Sequence, residues 1–272
     1  LGAGGRLIAF DQDEDAVANL PDDPRLTFVP HNFRFLKRFL KLYGIGPGTV
    51  DGILADLGVS SHQLDEAERG FSYRFDAELD MRMNRQQERT AAQIVNHYSA
   101  EVLQHLFSEY GEVRNARTLA RRLVEERQLR SIDTVGNLLS VVEPLIRGKR
   151  ERYLAQLFQA LRIEVNDEMG ALADFLTQSL EALRIGGRLV VIAYHSVEDR
   201  IVKHFLKTGN IDGKPERDFY GNIHRPFRLL TKKALQASSE EIAENPRARS
   251  ARLRIGERLR SDFAKDESPS PR

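Results

Sequence analysis

Short apolar runs, each cut off by polar residues and separated from the next by a helical pattern, restrict this chain more than any other feature. Residues 6–11 (RLIAFD), 25–29 and 50–57 read as buried strands, and 188–193 (RLVVIA) is the strongest strand signal of all. Between them, 13–20 predict a short helix with acidic residues in its first turn. A second helix starts at Asn32, carries Phe35, Phe39 and Leu42 at helical spacing, and closes at Gly44. Strands alternating with helices imply an α/β fold with a parallel sheet and right-handed crossovers. Later, Leu154, Phe158, Leu161, Val165, Met169, Leu172, Leu176, Leu180 and Leu183 form one apolar stripe. It predicts a single long core helix stopped by Gly186 and Gly187. Phe227 to Leu235 and Ala251 to Ile255 can supply two last strands.

Between these sheet-forming parts the pattern changes. Residues 70–84 (GFSYRFDAELDMRMN) have no sustained period and predict a long loop over the site. Ser99, Asn115 and Thr134 then stand where helix caps belong. The chain thus divides into a discontinuous sheet domain (1–85 and 155–260), an inserted helical domain (86–154) and a disordered tail (261–272).

The chemistry is expected at strand ends. In DGILADLGVSSHQLD (51–65) the apolar run suits a strand buried on both faces, and it breaks off at Asp56, Gly58, Ser60 and Ser61. Open α/β sheets place ligands in the crevice beyond such ends. The competing reading is a helix cap or turn. Asp11 also ends a buried run. An acid there can accept hydrogen bonds from both hydroxyls of an adenosine ribose, or cap the helix that follows. His195 and Ser196 follow the strongest strand. Adjacent strand residues point to opposite faces and no G-x-S-x-G elbow is present, which argues against a nucleophile-base pair.

Composition narrows the classes. The chain has 272 residues and no cysteine, which excludes disulfides, thiolate metal sites and a cysteine nucleophile, and makes a reducing cytoplasm the default. No apolar segment approaches the roughly 18 residues of a membrane span. The net charge of +1 conceals an asymmetry. Residues 111–165 carry 11 basic and 7 acidic side chains, and 214–260 carry 12 and 6, against 11 and 15 in residues 1–100. Such basic regions suit nucleic acid, or an ordinary solvated helix face.

The segments DGILADLGVSSHQLDEAERGFSY, LDMRMN, FQALRIEVNDE, GGRLVVIAYHSVEDRIVK and ENPRARSARLR together resemble the bacterial small-subunit ribosomal RNA cytosine-N4 methyltransferases, the MraW/RsmH family. The resemblance runs from the first residues to about Arg258. It implies a class I, Rossmann-like methyltransferase sheet interrupted by a helical, RNA-facing domain. It also implies S-adenosylmethionine as cofactor, and as substrate a cytidine in the decoding centre of 16S ribosomal RNA in the small subunit. Carried over by motif, Asp11, Phe33, Asp56 and Gln63 are the cofactor-binding residues; no metal is implied. Family members have a first strand and a Gly-Gly-His turn upstream of the position corresponding to Leu1, so the sequence is expected to be a fragment.

The cytosine amine is a poor nucleophile, because its lone pair is delocalised into the ring. An acceptor on its N–H would localise that pair, and alignment with the methyl group would supply further rate. Asp56 is the best-placed carboxylate, although a cofactor contact would compete for it. Ser60, Ser61, His195 and Ser196 are the other substrate-side candidates. A nicotinamide-dependent oxidoreductase lacks its glycine turn here. A non-catalytic RNA-binding scaffold is the remaining alternative.

Overall fold

A computed structural model describes residues 1–260 apart from Ala3, Asn222 and His224. The side chain of Ser61 and the expected tail, 261–272, also lie outside the described residues. In chain order the elements are β1 (Leu7–Phe10), β2 (Leu26–Val29), α1 (Leu36–Leu42), β3 (Val50–Asp56), α2 (Ser61–Asp65), α3 (Ala91–His97), α4 (Ala100–Glu109), α5 (Ala116–Arg127) and α6 (Val135–Val142). There follow α7 (Arg150–Asn166), α8 (Glu168–Ala182), β4 (Leu183–Ala193), α9 (Ser196–Thr208), β5 (Phe227–Leu229), α10 (Ser239–Glu244) and β6 (Arg252–Arg258). Among the described residues, no helix is long and apolar enough to cross a membrane.

The chain packs as two compact units, Leu1–Pro30 with Val59–Met169, and His31–Gly58 with Gly170–Arg272. In the first unit β1 and β2 pair in parallel, from Leu7 opposite Leu26 to Phe10 opposite Val29. Its core runs without a seam from Phe71, Leu79 and Met81 through the helices to Leu154 and Val165. A boundary at 86 or 154 would cut through that core. Residues 70–84 form no helix or strand, as expected, yet they are not a cover: Leu79, Met81 and Met83 are buried in it. Gly70 opens the segment at φ 68°, and a Cβ there would lie 2.3 Å from the Glu78 carbonyl oxygen, so only glycine fits.

Helix starts in this unit follow the capping rules. Thr90, Ser99 and Thr134 each accept a hydrogen bond from the backbone N–H three residues on. Asn115 is different. It occupies the cap position of α5, but its Nδ2 donates to the Leu145 carbonyl at 2.9 Å and caps nothing.

The expected single helix over 154–183 is two helices. The chain turns left-handed at Asp167 (φ 47°). The cause is remote in sequence: Asn166 Oδ1 accepts from the Met83 N–H, and its Nδ2 donates to the Met81 carbonyl, both at 2.8 Å. Satisfying this buried amide pulls the end of α7 towards residues 81–83. Leu183 belongs to β4, not to the helical stripe.

In the second unit the strand order is β3-β4-β6-β5, parallel between β3 and β4 and antiparallel thereafter. Parallel strands joined through helices, followed by antiparallel last strands, match the expected Rossmann-like α/β class. The expectation that β3 is buried on both faces is not met. β3 has a neighbour only on its β4 side among the described residues, and Leu54 is 68% exposed. Helix α1 buries Leu36 and Leu40 and leaves Leu42 exposed, so its apolar face is rotated from the expected one. Gly186 and Gly187 do not stop a helix but lie within β4, where a Cβ on Gly187 would meet the Val50 and Asp51 carbonyl oxygens at 3.1 and 3.2 Å.

Candidate functional site

Asp11, Ser60, Ser61 and Gln63 fall in the first unit, and Phe33, Asp56, His195 and Ser196 in the second. In the first, Asp11 follows the last residue of β1, and its N–H still donates to the Val29 carbonyl of the neighbouring strand at 3.3 Å. Its side chain is exposed at this strand tip. Oδ1 accepts from the Asp13 N–H at 2.9 Å, and the Gln12 N–H also lies against the carboxylate. Reduced hydration among the surrounding atoms raises its pKa; the Asp13 N–H lowers it, and the charge of Asp13 raises it again, for a net upward shift.

Asp13 caps the 3-10 helix Glu14–Asn19, its Oδ1 accepting from the Asp15 N–H at 3.2 Å. Its other oxygen accepts from Gln63 Nε2 and, at 2.6 Å, from Arg69 Nη1. Burial pushes the Asp13 carboxyl up, but the bonds from Gln63 and Arg69 outweigh it and hold the group below the usual range. The second Arg69 nitrogen, Nη2, donates to the Arg82 and Met83 carbonyls at 3.1 and 3.0 Å. Its guanidinium also sits 5.5 Å from the Phe71 ring centre. One buried arginine therefore ties the β1 exit to residues 82–83.

Ser60 and Gln63 form a capping box on α2. Ser60 Oγ accepts from the Gln63 N–H at 3.1 Å, and Gln63 Oε1 accepts from the Ser60 N–H at 3.0 Å. Both ends of the Gln63 amide are thus engaged within the protein. Its place is to join Ser60 to Asp13. Ser61 is the first residue of α2.

In the second unit Asp56 ends β3 opposite Ile192 of β4. Tyr194, two residues beyond Ile192, lies on the same side because side chains alternate along a strand. Its hydroxyl donates to Asp56 Oδ1 at 2.8 Å. Gly58, at φ 90°, lies alongside the tyrosine ring; a Cβ there would be 3.6 Å from Tyr194 Cδ2. Burial, reinforced by the bond to Asp56, pushes the Tyr194 phenol up to about 12, so it remains a donor at physiological pH. No described residue donates to Asp56 Oδ2 in the hydrogen-bonding pattern around β3.

His195 caps α9. Its Nδ1 accepts from the Glu198 N–H at 3.4 Å, and Nε2 lies 3.2 Å from Glu198 Oε1. The other Glu198 oxygen accepts from the Tyr194 N–H at 2.9 Å. Nδ1 is committed to the start of α9, whereas the buried Nε2 forms no hydrogen bond with a described residue; Ser196 is the exposed first residue of that helix. Phe33 belongs to a 3-10 turn capped by Asn32, and packs edge-on against Phe175 of α8 with ring centres 5.2 Å apart. Gln178 clamps the turn by accepting from the Lys37 N–H and donating to the Arg34 carbonyl.

Sequence reasoning missed Asp13, Arg69 and the orienting role of Tyr194. Asp13 had a usable signal, because it stands immediately before an acidic helix start. Arg69 had none, since its partners are 13 or more residues away.

Comparison with known proteins bears on this arrangement. The ribosomal RNA small subunit methyltransferase H of Parabacteroides distasonis is 56% identical over 260 residues, covering 95% of this chain and 85% of that protein. The proteins of the same name from Bacteroides fragilis (strain ATCC 25285) and Flavobacterium johnsoniae are each 54% identical, over 259 and 260 residues, covering 95% of this chain and 84% and 85% of their own lengths. The model of one methylase family matches residues 2–259, a span that takes in β1, β3 and β4 with Asp11, Asp56 and Tyr194. The chain belongs to the MraW methylase family.

Proposed function

We propose that the protein transfers a methyl group from S-adenosylmethionine to the N4 amine of a cytidine in 16S ribosomal RNA of the small ribosomal subunit. The observation that carries this reading is the family match from residue 2 to residue 259, joined by relatives named as small-subunit rRNA methyltransferases. Those names do not favour a non-catalytic scaffold.

The residues fit such a cofactor. Asp11 presents a carboxylate oxygen at a strand tip, suited to a ribose hydroxyl. Phe33 presents a half-buried ring held by Phe175. When bound, S-adenosylmethionine supplies an electrophilic methyl group on a sulfonium. Asp56 serves the other reactant. With Oδ1 held by Tyr194, Oδ2 would accept an amine N–H, localise the nitrogen lone pair and receive the proton that the amine sheds as its new N–C bond forms and the methyl–sulfur bond breaks, leaving a neutral thioether. We therefore assign Asp56 to the amine, leave the cofactor to Asp11 and Phe33, and treat Gln63, Ser60 and His195 as positioning residues. The target cytidine must be unpaired or flipped to reach Asp56.

Two measurements test the assignments. Asp11→Ala should weaken S-adenosylmethionine binding in calorimetry by about 10- to 100-fold, because a charge-assisted hydrogen bond contributes on the order of 1.5–3 kcal/mol. Unchanged affinity in a folded variant removes Asp11 from the site. Tyr194→Phe should lower kcat by about tenfold, the low end for a bond to a charged group, while cofactor affinity stays the same. The Tyr194 proton is retained up to about pH 12, so the parent should show no loss of rate from this group across the neutral range. Equal kcat for parent and variant would show that Asp56 needs no such orientation.

A further inference from the structure

The positive charge on the helical layer is unevenly committed. On α5, Arg121 lies 3.5 Å from Glu125 and Arg122 lies 3.0 Å from Glu126, so that face largely neutralises itself. Arg150 is bound to Glu143. Arg114, Arg147, Lys149 and Arg152 form no ion pair with a described residue, and all four line one cleft of about 520 Å³ whose only carboxylate is Glu112.

Two further features make the cleft a built site. Tyr153 is only 4% exposed; its hydroxyl, which lines the cleft, has the Asn115 amide beside its oxygen but donates its own proton to no described residue. The neighbouring Asn115 Oδ1 is buried and unpartnered; the amide cannot turn it away, because Nδ2 is fixed on the Leu145 carbonyl. Buried polar atoms left unsatisfied by the protein cost free energy and call for an external partner. The cleft also borders the starts of α5 and α7, and neither helix has a side-chain cap on its first-turn N–H groups.

A buried donor, a buried acceptor, four uncommitted cations and two uncapped helix starts select a specific chemistry. The donor and cations suit a phosphate oxygen, and the acceptor suits a hydroxyl attached close to it. We propose that this cleft holds a backbone phosphate of an RNA strand, with an adjoining ribose 2′-hydroxyl donating to Asn115 Oδ1. The assignment deepens, and rests on, the ribosomal RNA reading above. It separates RNA from DNA, since only RNA carries that hydroxyl.

The test measures binding of small-subunit ribosomal RNA, and of DNA of the same sequence, across a potassium chloride series. It compares the parent with the triple variant Arg147→Ala, Lys149→Ala, Arg152→Ala and with Tyr153→Phe. The parent should bind RNA more tightly than DNA. The triple variant should flatten the dependence of log K on log salt by about one per cation removed. Tyr153→Phe should weaken RNA binding several-fold at unchanged slope. Without RNA it should melt within about a degree of the parent, because the lost hydroxyl donates to no described residue. S-adenosylmethionine affinity should be unchanged in both variants. If the parent binds and methylates the RNA but both variants keep its affinity and slope, the cleft assignment fails while the functional reading stands. If the parent binds no ribosomal RNA, yet inorganic phosphate raises the melting temperature of the parent and not of the triple variant, the RNA assignment and that reading both fall, leaving a free-anion pocket.

Discussion

Replacing Arg69 with methionine is expected to reduce folding stability by on the order of 3–5 kcal/mol, the usual cost of leaving one partner of a buried ion pair behind. Arg69 is 4% exposed and is bonded to Asp13 and to the carbonyls of Arg82 and Met83. Methionine fills much of the same volume but strands a carboxylate and two carbonyl oxygens. Denaturant melts of the two full chains would measure the difference, and its pH dependence identifies the cause. The Asp13 carboxyl is held below its usual range in the folded protein. A depressed folded-state pKa contributes stability that is complete above the unfolded value of about 4 and is lost as pH falls through the folded value. The gap between parent and variant should thus be widest near neutrality and narrow in acid. A gap independent of pH would mean that Arg69 acts by packing alone.

The largest effect on catalysis is expected from Asp56→Asn, with kcat at saturating cofactor falling by about 10²- to 10⁴-fold, the range for losing a positioned proton acceptor. The amide can still accept the Tyr194 hydroxyl through its oxygen. Its NH₂ group then faces the amine, placing donor against donor. Because the variant keeps size and fold, a rate within a few-fold of the parent would remove Asp56 from the chemistry.

These two residues show where sequence was sufficient and where it was not. Asp56 was legible because an apolar run ending in an acid is a local pattern, as were the helix starts at Ser99 and Thr134. The contact that orients Asp56 was not, because Tyr194 meets it only through the register of β3 on β4, a pairing of residues 138 positions apart. The break at Asp167 was hidden for the same reason: the apolar stripe continues across it, and the left-handed turn is required by bonds from Asn166 to residues 81–83. The basic cleft lies between these cases. Arg147 to Arg152 (RGKRER) is visible as a charge run, but only the fold brings Arg114 and Asn115 beside it and spends Arg150 elsewhere.

The central claim is methylation at one atom. Small ribosomal subunits lacking the modification, incubated with the protein and methyl-labelled S-adenosylmethionine, can be digested to nucleosides and resolved by mass spectrometry. The label should appear in a cytidine methylated on N4, with an initial rate about 10²- to 10⁴-fold lower when Asp56→Asn replaces the parent. Label on another base, on a ring atom of cytidine, or at an equal initial rate with Asp56→Asn would contradict the account.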